Sequence, residues 1–161
     1  MRVGVLSDTH DNLPMIDRAL EVFRQQGVDA ILHLGDFVSP FALRRLLKDL
    51  RVPLYGVFGN NDGDKLLLKG ILGDRLFNPP VILELGTHRV LLAHELQEDM
   101  GRALLRGGLR AVFFGHTHSP HVERDAGGLL LNPGECSGWL GGKGTVAICD
   151  LEDLRAEIIE L

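Results

Sequence analysis

Several Asp, His and Asn residues stand next to glycine or to one another in short runs: Asp8-Thr9-His10, Gly35-Asp36, Gly59-Asn60-Asn61-Asp62, His94, and Gly115-His116-Thr117-His118. Carboxylate, amide and imidazole groups are hard or borderline metal ligands. The set Asp8, His10, Asp36, Asn60, His94, His116 and His118 contains no thiolate, which favours Mn, Fe, Ni, Co or Zn in a reactive site over a structural zinc. Seven ligands are too many for one four-coordinate ion and suit two ions that share a carboxylate. Two divalent ions about 3.5–4 Å apart are a recurrent device for phosphoryl chemistry, because they lower the pKa of a bound water and bind the phosphoryl oxygens.

These residues need elements that bring them together. Apolar runs at Val3 to Leu6, Ala30 to Leu34 and Leu54 to Phe58 read as buried parallel strands, and each ends at one of the polar runs. Between them, Leu13, Ile16, Leu20 and Phe23 recur at helical spacing with Gly27 as a C-terminal stop. Ser39-Pro40 opens a second helix with Leu43, Leu46, Leu47 and Leu50 on one face. A third helix is expected over Gly63 to Leu72. The second half reads as a hairpin, Val81 to Leu85 and Arg89 to Ala93 around Gly86-Thr87, then a helix from Glu98 to Arg106 and a strand Ala111 to Phe114. Further strands are expected near His121 to Arg124, Leu129 to Leu131, Thr145 to Cys149 and Arg155 to Ile159. The alternation argues for an α/β architecture in which each half supplies one sheet, the two stacked face to face with helices outside. In open α/β sheets strand ends share a rim where ligands bind, so the five polar runs can converge. Asp8 with His10, and His116 with His118, are two residues apart, and in extended geometry each pair projects to one side.

The remaining composition narrows the function classes. The 161 residues carry 17 Lys and Arg against 22 Asp and Glu, a net charge of -5 with His neutral. Stable binding to duplex nucleic acid, which needs a basic face, is not expected. Cys136 and Cys149 lack a CxxC partner and read as buried thiols of a reducing compartment. The first carboxylate comes at Asp8, too early for a signal peptide, and no apolar stretch reaches the roughly 18 residues of a membrane helix. A cytoplasmic location and a single domain over residues 1–161 are expected.

Taken in order, Asp8-x-His10, Gly35-Asp36, Gly59-Asn60-x-Asp62, His94 and Gly115-His116-x-His118 resemble the calcineurin-like metallophosphoesterases, in particular their small prokaryotic phosphodiesterase branch. Ser7-Asp8-Thr9-His10, Gly115-His116-Thr117-His118-Ser119-Pro120 and Asn132-Pro133-Gly134 are similar to that branch in wording as well as spacing. The resemblance implies a four-layer α/β/β/α sandwich of two stacked mixed sheets. It also implies two divalent ions, Mn foremost, with Asp8, His10 and His118 on the first, Asn60, His94 and His116 on the second, and Asp36 bridging. The implied activity is hydrolysis of a small phosphoester, aryl phosphodiesters or cyclic nucleotides, by a hydroxide held between the ions, with Asp36, His94 and Asn61 at the reaction itself.

Two positions depart from the family pattern. Asn61 stands where many relatives have a His that protonates the leaving oxygen, and an amide can only donate a hydrogen bond. Glu95-Leu96 stands where relatives continue Gly-His after the ligand His, which adds a carboxylate near the site. A non-enzymatic metal-binding scaffold like the retromer-subunit relatives is the alternative from another class. It is disfavoured because all seven ligand positions are filled. A nucleotide phosphomonoesterase is a further alternative, which would need basic residues for a dianionic phosphate. Outside the cluster, His33 is expected in the core, His88 solvated in a hairpin turn and His121 at the surface or a pocket rim. Asn12 is expected to cap the first helix and Asp62 the third, and Trp139 to cover an apolar surface or to make a homo-oligomer contact.

Overall fold

A computed structural model describes residues 1–161. In chain order the elements are β1 Arg2–Leu6, α1 Leu13–Gln26, β2 Ala30–His33, α2 Pro40–Leu47, β3 Leu54–Val57, α3 Lys65–Leu72, β4 Leu76–Phe77, β5 Val81–Leu85, β6 His88–Leu92, α4 Glu98–Arg106, β7 Ala111–Phe113, β8 His121–Asp125, β9 Gly128–Asn132, β10 Thr145–Asp150 and β11 Arg155–Glu160. Local chemistry sets the helix ends. Asn12 accepts a hydrogen bond from the Met15 amide, and Gly27 closes α1 in the left-handed conformation (φ 60°). Ser39 caps α2 through the Phe41 amide, with Pro40 at the first helical position. The third helix starts two residues later than its pattern implied, because Asp64 rather than Asp62 accepts from the Leu67 amide.

Two mixed sheets form, in the orders β11-β10-β1-β2-β3-β4 and β5-β6-β7-β9-β8. The expectation that each half of the chain supplies one sheet is corrected here: the C-terminal hairpin joins the first sheet, β10 lying antiparallel to β1 with Val3 opposite Cys149. Periodicity shows that a strand exists but not which edge it will pair with. Pairing with β10 covers an edge of β1 that would otherwise leave its backbone N–H and C=O groups unpaired.

Three buried clusters define the layers. Seventeen buried residues lie between the sheets, among them Val3, Val5, Leu32, Leu92, Phe113, Leu131 and Cys149. Eighteen lie between the first sheet and α1 to α3, including Leu6, Ile16, Phe23, Ile31, Leu43 and Leu68. Only seven lie under α4, which alone covers the second sheet. Alternating side chains of one strand thus serve two cores, Val3 and Val5 inward, Leu6 outward, and the result is the α/β/β/α sandwich.

Candidate metal centre

In the first sheet β1, β2 and β3 run parallel, and in the second β6, β7 and β9 do, so all six deliver their C-terminal ends to one rim. Backbone hydrogen bonds stitch the loops that follow: Asp8 N–H to Gly35 O (3.0 Å), His10 N–H to Asp36 O (3.1 Å) and Gly115 N–H to His94 O (2.9 Å). The Ser137 amide reaches Asp8 O (3.1 Å), and the His116 amide donates to Asp8 Oδ2 (3.1 Å), which joins the two sheets at this point.

The residues are not extended, contrary to the alternation expected from their spacing. Asp8 (φ 54°), His10 (40°), Asp36 (60°), His116 (66°) and His118 (60°) all take left-handed backbone conformations. Such strain in non-glycine residues concentrates at functional sites and is held by surrounding structure. Because the chain turns at both His116 and His118, the pair separates. His118 joins Asp8 and His10, whereas His116 packs edge-on against His94, ring centroids 5.1 Å apart. The adjacent glycines are explained by close approach. A Cβ on Gly35 would lie 2.6 Å from His94 Nδ1, one on Gly59 would overlap the Asp36 carboxylate, and one on Gly115 would overlap Ser7.

Asp8, His10 and His118 form one group of converging ligand atoms, and Asp8, Asp36 and His94 a second. Asp8 is shared by both groups, and Asp36 Oδ2 is 3.6 Å from both His10 Nε2 and His94 Nε2, so two carboxylates lie between the imidazoles. The protons are allocated by the outer partners. His94 Nδ1 is 2.8 Å from Leu34 O, which can only accept, so the neutral ring presents its Nε2 lone pair to Asn60 Oδ1 at 2.7 Å. In the same way His118 Nδ1 faces Glu135 Oε2 at 3.0 Å, and its Nε2 faces Asp8 Oδ1 at 3.2 Å. Pairs of acceptors facing each other call for a cation between them. Asp8 Oδ1 and His10 Nε2 are moreover buried without any hydrogen-bond partner. The oxygen and imidazole donors therefore fit divalent cations. Burial pushes the Asp8 carboxyl up, but the nearby His10 imidazole and the Ser7 hydroxyl lead the effects that outweigh it and hold it below its ordinary value. Asp8 in turn raises the His10 imidazole, against the opposing effect of burial.

The profile of the calcineurin-like phosphoesterase superfamily domain matches residues 1–154. The chain belongs to that superfamily. A phosphodiesterase of Methanocaldococcus jannaschii is 34% identical over 157 residues, 94% of each chain. The solved structure of an archaeal phosphodiesterase is likewise 34% identical, with a TM-score of 0.88 over 100% of both chains. Vacuolar protein sorting 29 of Cryptosporidium parvum shares the fold at 19% identity, TM-score 0.67, over 99% of this chain and 96% of that one.

Other residues of this calcineurin-like phosphoesterase can now be placed. Asn61 points at Asp36: its backbone amide donates to Oδ1 (2.8 Å) and its side-chain amide to Oδ2 (2.7 Å). Asp62 is buried and accepts from the Val38 (2.8 Å) and Gly59 (2.6 Å) amides, so it braces the loop instead of capping α3. Burial is the main cause that lifts its carboxyl above the ordinary range. Glu95 is exposed. His33 lies in the core, stacked on Phe37 at 3.6 Å. His88 is not in the turn: it opens β6, its side chain is only 12% exposed, and Nε2 is 2.8 Å from Glu152. His121 sits by Glu98 and Glu123 on the far side of the second sheet, where Arg102 already pairs with both acids. A cavity of about 720 Å³ between α1 and α2 is lined by none of the seven candidate ligands. No helix is long and apolar enough to cross a membrane.

Sequence reasoning missed two residues that organise the site. Glu135 is buried and accepts from His118, Ser137 and the amides of Leu140 and Gly141. Asn132 donates to Gly115 O (2.9 Å) and Thr117 Oγ1 (3.0 Å) and so shapes the Gly115-His116-Thr117-His118 loop. The available signal was their position at the same rim, Asn132 at the end of an apolar strand and Glu135 three residues beyond it.

Proposed function

We propose that this phosphoesterase hydrolyses phosphodiesters on a centre of two divalent cations, manganese first among them. Asp8, His10 and His118 hold one cation, Asn60, His94 and His116 the other, and Asp36 lies between. The observation that carries the reading is the pair of facing acceptors, His94 Nε2 with Asn60 Oδ1 and His118 Nε2 with Asp8 Oδ1, around Asp36 Oδ2. Two such cations supply Lewis acidity toward the phosphoryl oxygens and lower the pKa of water. The chain's own residues do the positioning. Leu34 O fixes the His94 ring, Glu135 fixes His118, and Asn61 holds both oxygens of Asp36.

A diester is favoured over a monoester because none of the seven residues pairs with Lys or Arg, so no cationic side chain is held at the ligands to offset the second charge of a monoester. The 34% identical phosphodiesterase supports the same preference. Aryl phosphodiesters and cyclic nucleotides are the proposed substrates.

Metal analysis coupled to turnover of a bis-aryl phosphate, an aryl monophosphate and a cyclic nucleotide with added Mn tests the reading. Two ions per chain with diester turnover is expected, and Asp36→Ala should lose metal and activity together. Full activity of Asp36→Ala overturns the assignment. Monoester preference overturns the substrate class, and a metal-loaded protein inert toward all three favours a scaffold.

A further inference from the structure

Trp139, the single Trp of the chain, stands beside the metal centre with 64% of its surface exposed. It is nevertheless held in place. Its Nε1–H donates to the backbone carbonyl of His10 (3.3 Å), a residue whose side chain belongs to the first ligand group. The loop that carries it is fixed from several sides. Asn12 Nδ2 donates to Ser137 O (2.8 Å), the Gly142 amide closes on Gly138 O (3.1 Å), and Gly138 (φ 68°) and Gly142 (φ 74°) supply the left-handed corners.

The main anchor is Glu135. Its Oε2 faces His118 Nδ1 (3.0 Å) and accepts from Ser137 Oγ (3.0 Å), while Oε1 accepts from the Leu140 amide (3.0 Å) and the Gly141 amide. One buried carboxylate thus ties a candidate metal ligand to the loop that presents the indole. Leu140, the next residue, is also exposed, so the loop offers an apolar face next to a polar centre. With its only hydrogen-bond donor committed to His10 O, the ring has its π-surface left to offer.

We propose that Trp139 is the wall on which a planar aromatic substituent of the phosphoester stacks, and that Glu135 sets the position of that wall relative to His118. The inference rests on the phosphoester reading above and names the group that selects its substrate. A ring joined to phosphorus through one ester oxygen extends only a short way from it, so a recognising wall must stand directly beside the ligands, as Trp139 does. Stacking makes no demand on hydrogen-bond pattern, so an aryl group and a nucleobase share the chemistry.

The test uses the full chain with added divalent cation and compares diphenyl phosphate, a cyclic nucleotide and diethyl phosphate as competitors of bis-aryl phosphate turnover, with Trp139→Ala and Trp139→Phe. Trp139→Ala should weaken diphenyl phosphate about 3- to 10-fold, with diethyl phosphate little affected, and Trp139→Phe should recover most of the loss. A shift for the cyclic nucleotide as well assigns the wall to aromatic groups in general. A shift for diphenyl phosphate alone restricts it to aryl groups. Equal weakening of all three, or of none, overturns the proposal. Diphenyl phosphate binding is also read from Trp fluorescence without turnover. A fluorescence response in a protein that hydrolyses nothing supports the wall while the catalytic reading fails. Conversely, turnover with no Trp139 effect retains the enzyme and removes the wall. Sedimentation of the same variants covers a contact between copies: a dimer lost in Trp139→Ala, with aryl binding unchanged, overturns the proposal.

Discussion

His118 Nδ1 lies 3.0 Å from Oε2 of Glu135, whose side chain is 1% exposed. The carboxylate accepts the Nδ1 proton, which leaves Nε2 as the lone pair aimed at Asp8 Oδ1. Burial opposes the charge on Glu135, but the Gly141 amide, the Ser137 hydroxyl and His118 outweigh it and keep the carboxyl below its ordinary value. Substitution Glu135→Gln preserves shape but places an amide where a carboxylate orients the ring. Calorimetric titration with Mn should show metal affinity falling about 10- to 100-fold with the fold retained by circular dichroism. Unchanged affinity would show that His118 needs no such support.

Asn61 donates both its amides to Asp36 and has no proton to give a leaving oxygen. General acid catalysis contributes roughly 10²- to 10⁴-fold, and an enzyme without it depends on the leaving group's own acidity. Turnover of bis-aryl phosphates should therefore exceed that of dialkyl phosphates by at least about 10²-fold beyond any difference in KM. Comparable kcat values on the two classes would contradict this.

His33 contributes a pH dependence of stability. The Gly35 amide donates to Nδ1 (3.2 Å), so Nε2 carries the proton that meets Thr9 Oγ1 (3.0 Å), and Thr9 in turn reaches Asp36 O (3.3 Å). Complete burial pushes the imidazole down to about 3. The unfolded chain takes up a proton below about 6.5 and the folded one does not. No penalty exists above that pH, and stability is lost as pH falls from about 6.5 toward 3. Between pH 6.5 and 5 this amounts to about 2 kcal/mol. Urea unfolding of wild type and His33→Gln across that interval should show the steeper loss in wild type. Parallel slopes would remove His33 as the cause.

Much of this molecule is legible in its residue pattern. The amphipathic spacing of Leu13, Ile16 and Phe23 with Gly27 bounds α1, and the Glu98 to Arg106 helix appears where its pattern placed it. Asp8, His10, Asp36, Asn60, His94, His116 and His118 all reach one rim, because each follows a strand and parallel strands share a direction. Less legible was the edge that β10 and β11 would join, since the alternation of Val146, Ala147 and Ile148 is compatible with either sheet. Asp62 was misread for a related reason: any Asp ahead of a helix resembles a cap, and only the Val38 and Gly59 amides show it occupied elsewhere.

By itself, then, the sequence determined the strand and helix order and the chemical types gathered at the strand ends. Hydrophobic periodicity and the short range of caps and turns act within a few residues. Which atoms face one another was decided only by the tertiary structure. The contacts of Asp8 with His118, Asp36 with His94 and Asn60 with His94 cross between two sheets, and the stacking of those sheets is set by the buried side chains between them. The left-handed turns at the ligands, the sharing of Asp8 and the Glu135 anchor beneath Trp139 all depend on that stacking, for which no local pattern exists.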